Sequence, residues 1–204
     1  MTEARLPALS LNEWAVLALL AEQPSHGFAL AKELDVDGDL GQIWTVRRPF
    51  VYRALAHLEQ LSLVAQEGVE PGRAGPRRTV FGPTPAGRAA VDRWLATPTA
   101  HVRDLRTRLL LQLRVLDRRG RDLAPLAAAQ LRQLAPLVRG LADQVGERSD
   151  FGRLLAQWRL EQANAAVRFL ERVEGEQPSG PGADGSRRAS GQPARGRGAP
   201  GVVG

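Results

Sequence analysis

The chain has 204 residues, a net charge of +6, no cysteine and three histidines. That length gives one or two small domains with a real core. The lack of cysteine excludes a disulfide framework, a thiolate nucleophile and Cys-ligated zinc. The longest plain apolar run, WAVLALLA at 14–21, is far short of the roughly 20 residues that cross a membrane. The sequence therefore reads as a soluble, cytoplasmic protein with no membrane partner. Charge is uneven, −5 over residues 1–46 and +4 over 47–88. A basic segment of this kind invites a nucleic-acid partner. Lys32 is the only lysine, and an arginine bias fits a GC-rich genome as well as it fits phosphate recognition.

The first helix is expected over 10–22. Ser10 and Glu13 have capping-box spacing, Trp14, Leu17 and Ala21 share a face, and Pro24 ends the segment. Ser25 is the expected cap of a second helix at 26–35, with Phe28, Ala31 and Leu34 inward. DVDGDLGQ at 35–42 reads as a loop. As a calcium loop it fails at its twelfth position, where Val46 stands in place of glutamate.

TVRRPFVYRALAHLEQLSLV, 45–64, supplies a third helix over 49–61. Pro49 suits its first position. Val51, Leu55, Leu58 and Leu61 form the buried stripe, and Tyr52, Arg53, Ala56, His57 and Gln60 the opposite side. Two alternating stretches, 63–70 and 77–84, read as strands around the turn PGRAGP. Thr84 and Pro85 start a fourth helix that Pro98 ends.

Three helices, a basic hairpin and a helix are the element order of a winged helix-turn-helix, here over 1–98. Beyond it the pattern is wholly helical. Residues 101–119 align Val102, Leu105, Leu109, Leu113 and Leu116. Asp122 caps a helix expected to kink near Pro136 and to end at Gly146. From Asp150 to Glu174, Phe151, Leu155, Trp158, Gln162, Ala165, Phe169 and Val173 recur at nearly heptad spacing. At about 1.5 Å per residue this helix is roughly 37 Å long. It exceeds what so small a domain covers, so 99–174 is expected to dimerise through Phe151, Leu155, Trp158, Gln162, Ala165 and Phe169. Residues 175–204, rich in Gly, Pro and Arg, read as a disordered tail. The fold class is thus mainly α: an N-terminal winged helix-turn-helix with a two-stranded wing, then a helical dimerisation region.

Catalytic chemistry is missing from the pattern. His26, His57 and His101 fall in different helices with no second ligand at metal spacing, and no phosphate-binding glycine loop or serine elbow occurs. The expectation is a protein that is not an enzyme and uses no cofactor or metal.

Three segments resemble the PadR family of bacterial transcriptional regulators. SLNEWAVLALLAEQPSHGFALAKEL is similar to the family's first two helices, with the P-x-HG(F/Y)-x-L junction at 24–30. PFVYRALAHLEQLSLV is similar to its recognition helix, with Tyr52 and L-x-x-LE at 55–59. GRAGPRRTVFGPTPAGRAAVDRWL is similar to its wing and to the T-P-x-G helix start at 84–87. Ser62 stands where the family usually has glycine, and Phe81 where it usually has tyrosine.

The resemblance implies a homodimeric, ligand-responsive repressor on a palindromic operator. The third helix of a winged helix-turn-helix enters the major groove and the wing reaches the backbone or minor groove. The DNA-binding set is then Arg47, Arg48, Tyr52, Arg53, His57, Arg73, Arg77 and Arg78. Arg53 is placed for a guanine, and Arg47 and Arg48 for phosphate. A small aromatic effector near the dimer interface would use Trp94 and Trp158. The alternatives are a winged-helix adaptor that binds protein and a non-specific DNA-binding protein.

Overall fold

A computed structural model describes residues 6–71 and 77–175. The wing tip with Arg73, and the tail from 176 onward, lie outside the described residues.

Helix α1 (Leu11–Glu22) begins with the predicted capping box. The Ser10 amide donates to Glu13 Oε2 at 2.6 Å, and the Glu13 amide donates to Ser10 Oγ at 3.4 Å. Every residue from Trp14 to Ala21 is buried, not one face alone. A helix apolar all round belongs inside a core, and α1 packs against helices and sheet on several sides.

The next segment corrects the expected register. Ser25–His26 is a short strand, β1, and the cap of α2 (Gly27–Glu33) is His26, not Ser25. Its Nδ1 accepts from the Ala29 amide at 3.0 Å. Leu30 and Leu34 face the core, whereas Phe28, expected inward, is 47% exposed. Residues two apart on a helix are about 200° apart around its axis, so Phe28 and Leu30 cannot share a face. The loop to α3 buries Leu40 and Val46. Gly41 is required in that loop, because a Cβ there would sit 1.6 Å from the Asp35 carbonyl oxygen.

Helix α3 (Arg48–Gln60) carries Pro49 in its first turn and buries Val51, Ala54, Leu55 and Leu58. Leu61, expected in that stripe, is 45% exposed because the helix has already ended. The chain reverses at Ser62, whose φ is +56°, the left-handed conformation that favours glycine. Strands β2 (Val64–Glu70) and β3 (Arg78–Pro83) pair antiparallel with a bulge between Gln66 and Gly68. β1 pairs with the other edge of β3 through Ser25–Phe81 and His26–Val80. The sheet is therefore three-stranded, in the order β1-β3-β2, rather than two-stranded. Thr84 caps α4 (Pro85–Ala96) through the Gly87 amide and donates to the Ser62 carbonyl at 2.8 Å.

The expected helix at 101–119 is broken into a 3₁₀ turn (Val102–Asp104), a π turn (Leu105–Leu109) and α5 (Leu110–Arg118). Leu105, Leu109, Leu113 and Leu116 are buried, as the pattern predicts. The Asp122 carboxylate accepts from the Ala124 amide at 2.9 Å at the start of α6 (Ala124–Glu147), which continues through Pro136. α7 (Asp150–Gly175) packs back on α6. Its buried seam is Ala156, Ala163 and Leu170, which differs from the stripe chosen from the sequence.

Two buried glutamines join the helical region to the N-terminal one. Gln112 Nε2 donates to the Trp94 and Thr97 carbonyls at 2.5 and 3.0 Å. Gln130 accepts from the Thr99 amide at 2.6 Å and donates to the Thr99 carbonyl at 2.9 Å. These bonds satisfy the backbone where the chain leaves α4, and the apolar core is continuous across this junction.

The strained turn at Ser62 gives a direct test. A left-handed conformation costs a non-glycine residue about 1–2 kcal/mol, and glycine loses roughly 0.5–1 kcal/mol of additional chain entropy on folding. Ser62→Gly should thus stabilise the fold by up to about 1 kcal/mol, seen as a Tm raised by roughly 2–4 °C in a thermal melt. An unchanged or lower Tm would show that Ser62 carries no strain.

Candidate nucleic-acid interface

The first turn of α3 and the base of the wing converge on one basic surface. Arg47 precedes α3 and makes no capping bond. Arg47, Arg48, Phe50, Tyr52 and Arg53 are all exposed, as are Arg77 and Arg78 at the wing. Among the described residues, none of these arginines has a carboxylate within ion-pair distance. Three of them rest on aromatic rings instead. Arg48 lies 5.4 Å from the Phe28 centroid and 5.6 Å from that of Tyr52, Arg78 lies 5.0 Å from Phe28, and Arg53 lies 5.3 Å from Phe50. Cation–π contact positions a guanidinium without neutralising it, so the charges stay available for an anion.

The sequence pattern places Phe28 inward and gives Phe50 no role, because an apolar side chain near a helix start reads as core. The available signal was angular: Phe28 lies opposite Leu30 and Leu34. The glycine before Phe28 has a definite reason. A Cβ on Gly27 would lie 2.7 Å from Tyr52 Cε1, so only glycine admits the Tyr52 ring at this crossing of α2 and α3.

His57 is placed differently from the arginines. Its Nδ1 is 2.5 Å from Glu13 Oε1. Burial pushes the Glu13 carboxyl up, but hydrogen bonds from Ser10 and His57 outweigh it and hold it below its ordinary value. One histidine edge is thus committed to α1. Arg73 lies outside the described residues.

Trp94 and Trp158, the effector pair that the resemblance implies, are not brought together. Trp94 is wholly buried and stacks on Trp14 at 5.2 Å between centroids and 5° between planes. Trp158 is 62% exposed on α7. An apolar cavity of about 620 Å³ lies elsewhere, between the 102–110 segment and α7. Neither tryptophan lines it; Leu105, Leu109, Phe169, Arg103 and Arg106 do. The stripe expected to dimerise is largely outward: Phe151 is 73% and Leu155 36% exposed, Gln162 and Ala165 are exposed, and Phe169 is half-buried.

The arginines of α5 behave in the opposite way to those at α3. Arg118 reaches Glu22 at 2.7 Å, Glu33 at 3.0 Å and Asp39 at 2.7 Å. Arg114 holds Asp39 through two guanidinium nitrogens and also meets Asp117. Asp39 sits in the loop that leads into α3, so α5 fixes the approach to the basic surface. The Asp39 carboxyl is held below its ordinary value by Arg114, against burial, which raises it, and with help from Arg118.

This constellation of helices, wing and unpaired arginines is a winged helix-turn-helix. Residues 16–93 match the Transcriptional regulator PadR-like family. A "Probable transcriptional regulator Rv1176c" of Mycobacterium tuberculosis is 34% identical over 90 residues, which cover 44% of this chain and 46% of that protein. The match thus spans about half of that relative's length. Among solved structures, Bacillus subtilis PadR in complex with operator DNA is 17% identical, with 81% of this chain and 98% of that chain covered and a TM-score of 0.42. Streptococcus mutans smu.1604c is 15% identical, with 80% and 98% covered and a TM-score of 0.38.

Arg118 makes the coupling between α5 and the loop measurable. Arg118→Ala leaves three carboxylates without their shared partner and should cost about 1–3 kcal/mol in urea unfolding at pH 7. A carboxyl depressed in the folded state contributes stability above its unfolded value, near 3.9, and loses it as pH falls through the folded value. The gap between wild type and variant should therefore shrink below about pH 4. A gap constant down to pH 2 would remove Asp39 and its neighbours from the account.

Proposed function

We propose that the protein is a homodimeric, ligand-responsive transcriptional repressor that binds a palindromic DNA operator. The observation that carries this reading is the cluster of arginines without a carboxylate partner at the start of α3 and the base of the wing. Those at α5 are consumed by carboxylates, whereas those at α3 and the wing base have none. Leaving five guanidinium groups unpaired on one surface has a cost in self-repulsion, and a polyanion is the partner that removes it. Arg53 reads a guanine edge in the major groove. Arg47, Arg48, Arg77 and Arg78 take phosphates.

The second copy covers the outer stripe of α7. Phe151, Leu154 and Trp158 are 73%, 63% and 62% exposed, an apolar surface that a lone soluble chain seldom leaves open. Two winged helices held this way read half-sites about one helical turn, roughly 34–36 Å, apart. The effector site moves from the tryptophan pair to the cavity beside Phe169. Its apolar walls suit an aromatic ring and Arg103 and Arg106 suit an anionic substituent. Because Gln162, Ala165 and Phe169 also line it, a ligand there acts on the dimer seam.

Polarisation titrations against DNA from upstream of the gene, beside scrambled duplex, test the DNA reading. Arg53→Ala should lose about 10–100-fold on the specific fragment and little on the scrambled one. Arg77→Ala should weaken both alike and lower the salt slope by about one. Equal wild-type affinity for the two fragments would favour a non-specific DNA-binding protein, and no binding to either would favour the adaptor. For the dimer, Trp158→Asp should give a monomer by light scattering with unchanged helix content. A variant that stays dimeric would place the interface elsewhere.

A further inference from the structure

We infer that His26 and Arg78 form a phosphate clamp for the DNA backbone, at the start of α2 and the base of the wing, separate from the groove-reading turn of α3. The inference rests on the DNA-binding reading above and adds a residue, His26, that nothing in the arginine pattern identifies.

His26 Nδ1 accepts a hydrogen bond from the Ala29 amide at 3.0 Å. A ring nitrogen that accepts carries no proton, so in the neutral imidazole the proton is on Nε2 and that edge is a donor. Arg78 Nη1 lies 3.3 Å from Nε2. A guanidinium has donors only. The contact therefore cannot be a hydrogen bond between the two side chains, since two N–H groups face each other with no lone pair between them. An oxygen that accepts from both completes the arrangement, and an anionic oxygen does so with charge assistance.

The surroundings favour a phosphodiester. Arg78 and Arg48 both lie over Phe28, 5.0 and 5.4 Å from its centroid, so one exposed ring holds guanidinium groups from β3 and α3 beside the imidazole. Pairing of β1 with β3 sets the distance, because it aligns His26 with Val80, two residues from Arg78. The clamp thus bridges helix and wing, and a phosphate bound there fixes their relative position on the duplex. Phe28 acts as a positioning residue for both arginines.

The test separates capping from anion binding. His26→Ser keeps a good helix cap but has no donor that reaches Arg78. On a random-sequence duplex of about 30 base pairs, phosphate contacts alone supply the affinity. His26→Ser should keep the wild-type Tm and bind about 5–10-fold more weakly, with the salt slope unchanged because a neutral donor releases no counterion. Arg78→Ala, an exposed substitution that leaves the fold intact, should weaken binding by about 10-fold and lower the slope by about one. The double variant should bind within about 2-fold of Arg78→Ala, because the two groups share one phosphate. His26→Ser binding as wild type does, or losses that multiply in the double variant, would overturn the clamp and leave the DNA reading standing. Failure of the wild type to bind any duplex would overturn both.

Discussion

The burial of α1 on all sides is the constraint from which the other placements follow. A helix with no polar face must be surrounded, and α3, α4, α5 and β3 are the elements that surround it. Trp14 fixes one contact by stacking on Trp94 of α4, almost plane on plane. An offset aromatic pair of this kind adds about 0.5–1.5 kcal/mol to what its burial already contributes. With α1 as axle, α3 has one face to bury and one to offer. Its buried residues, Val51, Ala54, Leu55 and Leu58, leave Arg48, Tyr52 and Arg53 no direction but outward.

Electrostatics then divides the surface that burial leaves over. The loop between α2 and α3 is acidic, and its Asp39 is held by Arg114 and Arg118 of α5. Had Asp39 been free, it would have lain one loop away from the arginines of α3. Bidentate guanidinium contacts hold Asp39 in a fixed geometry. Neutralisation of Asp39 on one flank thus leaves Arg47, Arg48 and Arg53 on the other without a carboxylate at ion-pair distance among the described residues. The aromatic platforms add to this division, because Phe28 and Phe50 position Arg48, Arg78 and Arg53 at no expense of charge.

How much of this is legible in the sequence depends on whether the signal is local. The capping box at Ser10 and Glu13 and the Thr84 cap each rest on residues three positions apart, and both are found as expected. β1 is not legible, since two residues carry no alternation to read. Its existence depends on β3, more than fifty residues away. Phe28 was assigned inward by hydrophobicity and lies outward by angle, while Trp94 was weighed for an effector although its place is the core. The π turn at Leu105–Leu109 keeps the predicted leucines buried, so periodicity could not have exposed the break. The ion-pair cluster joins residues up to 96 apart, and no spacing rule reaches that far.

The two seams of α7 show how such a partial reading can still be informative. The outer stripe stood out because it is built from Phe, Leu and Trp. The inner seam of Ala156, Ala163 and Leu170, spaced by seven, was passed over because alanine carries little hydrophobic weight. Small side chains are what let α7 lie close against α6, and close packing is what makes the hairpin rigid. Rigidity matters for the proposed switch. α6 holds the Thr99 backbone through Gln130, and Gln112 of α5 holds the end of α4, beside Trp94. In the proposed dimer, these hydrogen bonds are the route by which a shift of the hairpin reaches α4. From α4 the Trp94–Trp14 stack leads to α1, against which α3 and β3 of the basic surface are packed. A ligand beside Phe169 needs to favour only one hairpin position over another to alter where two basic surfaces stand.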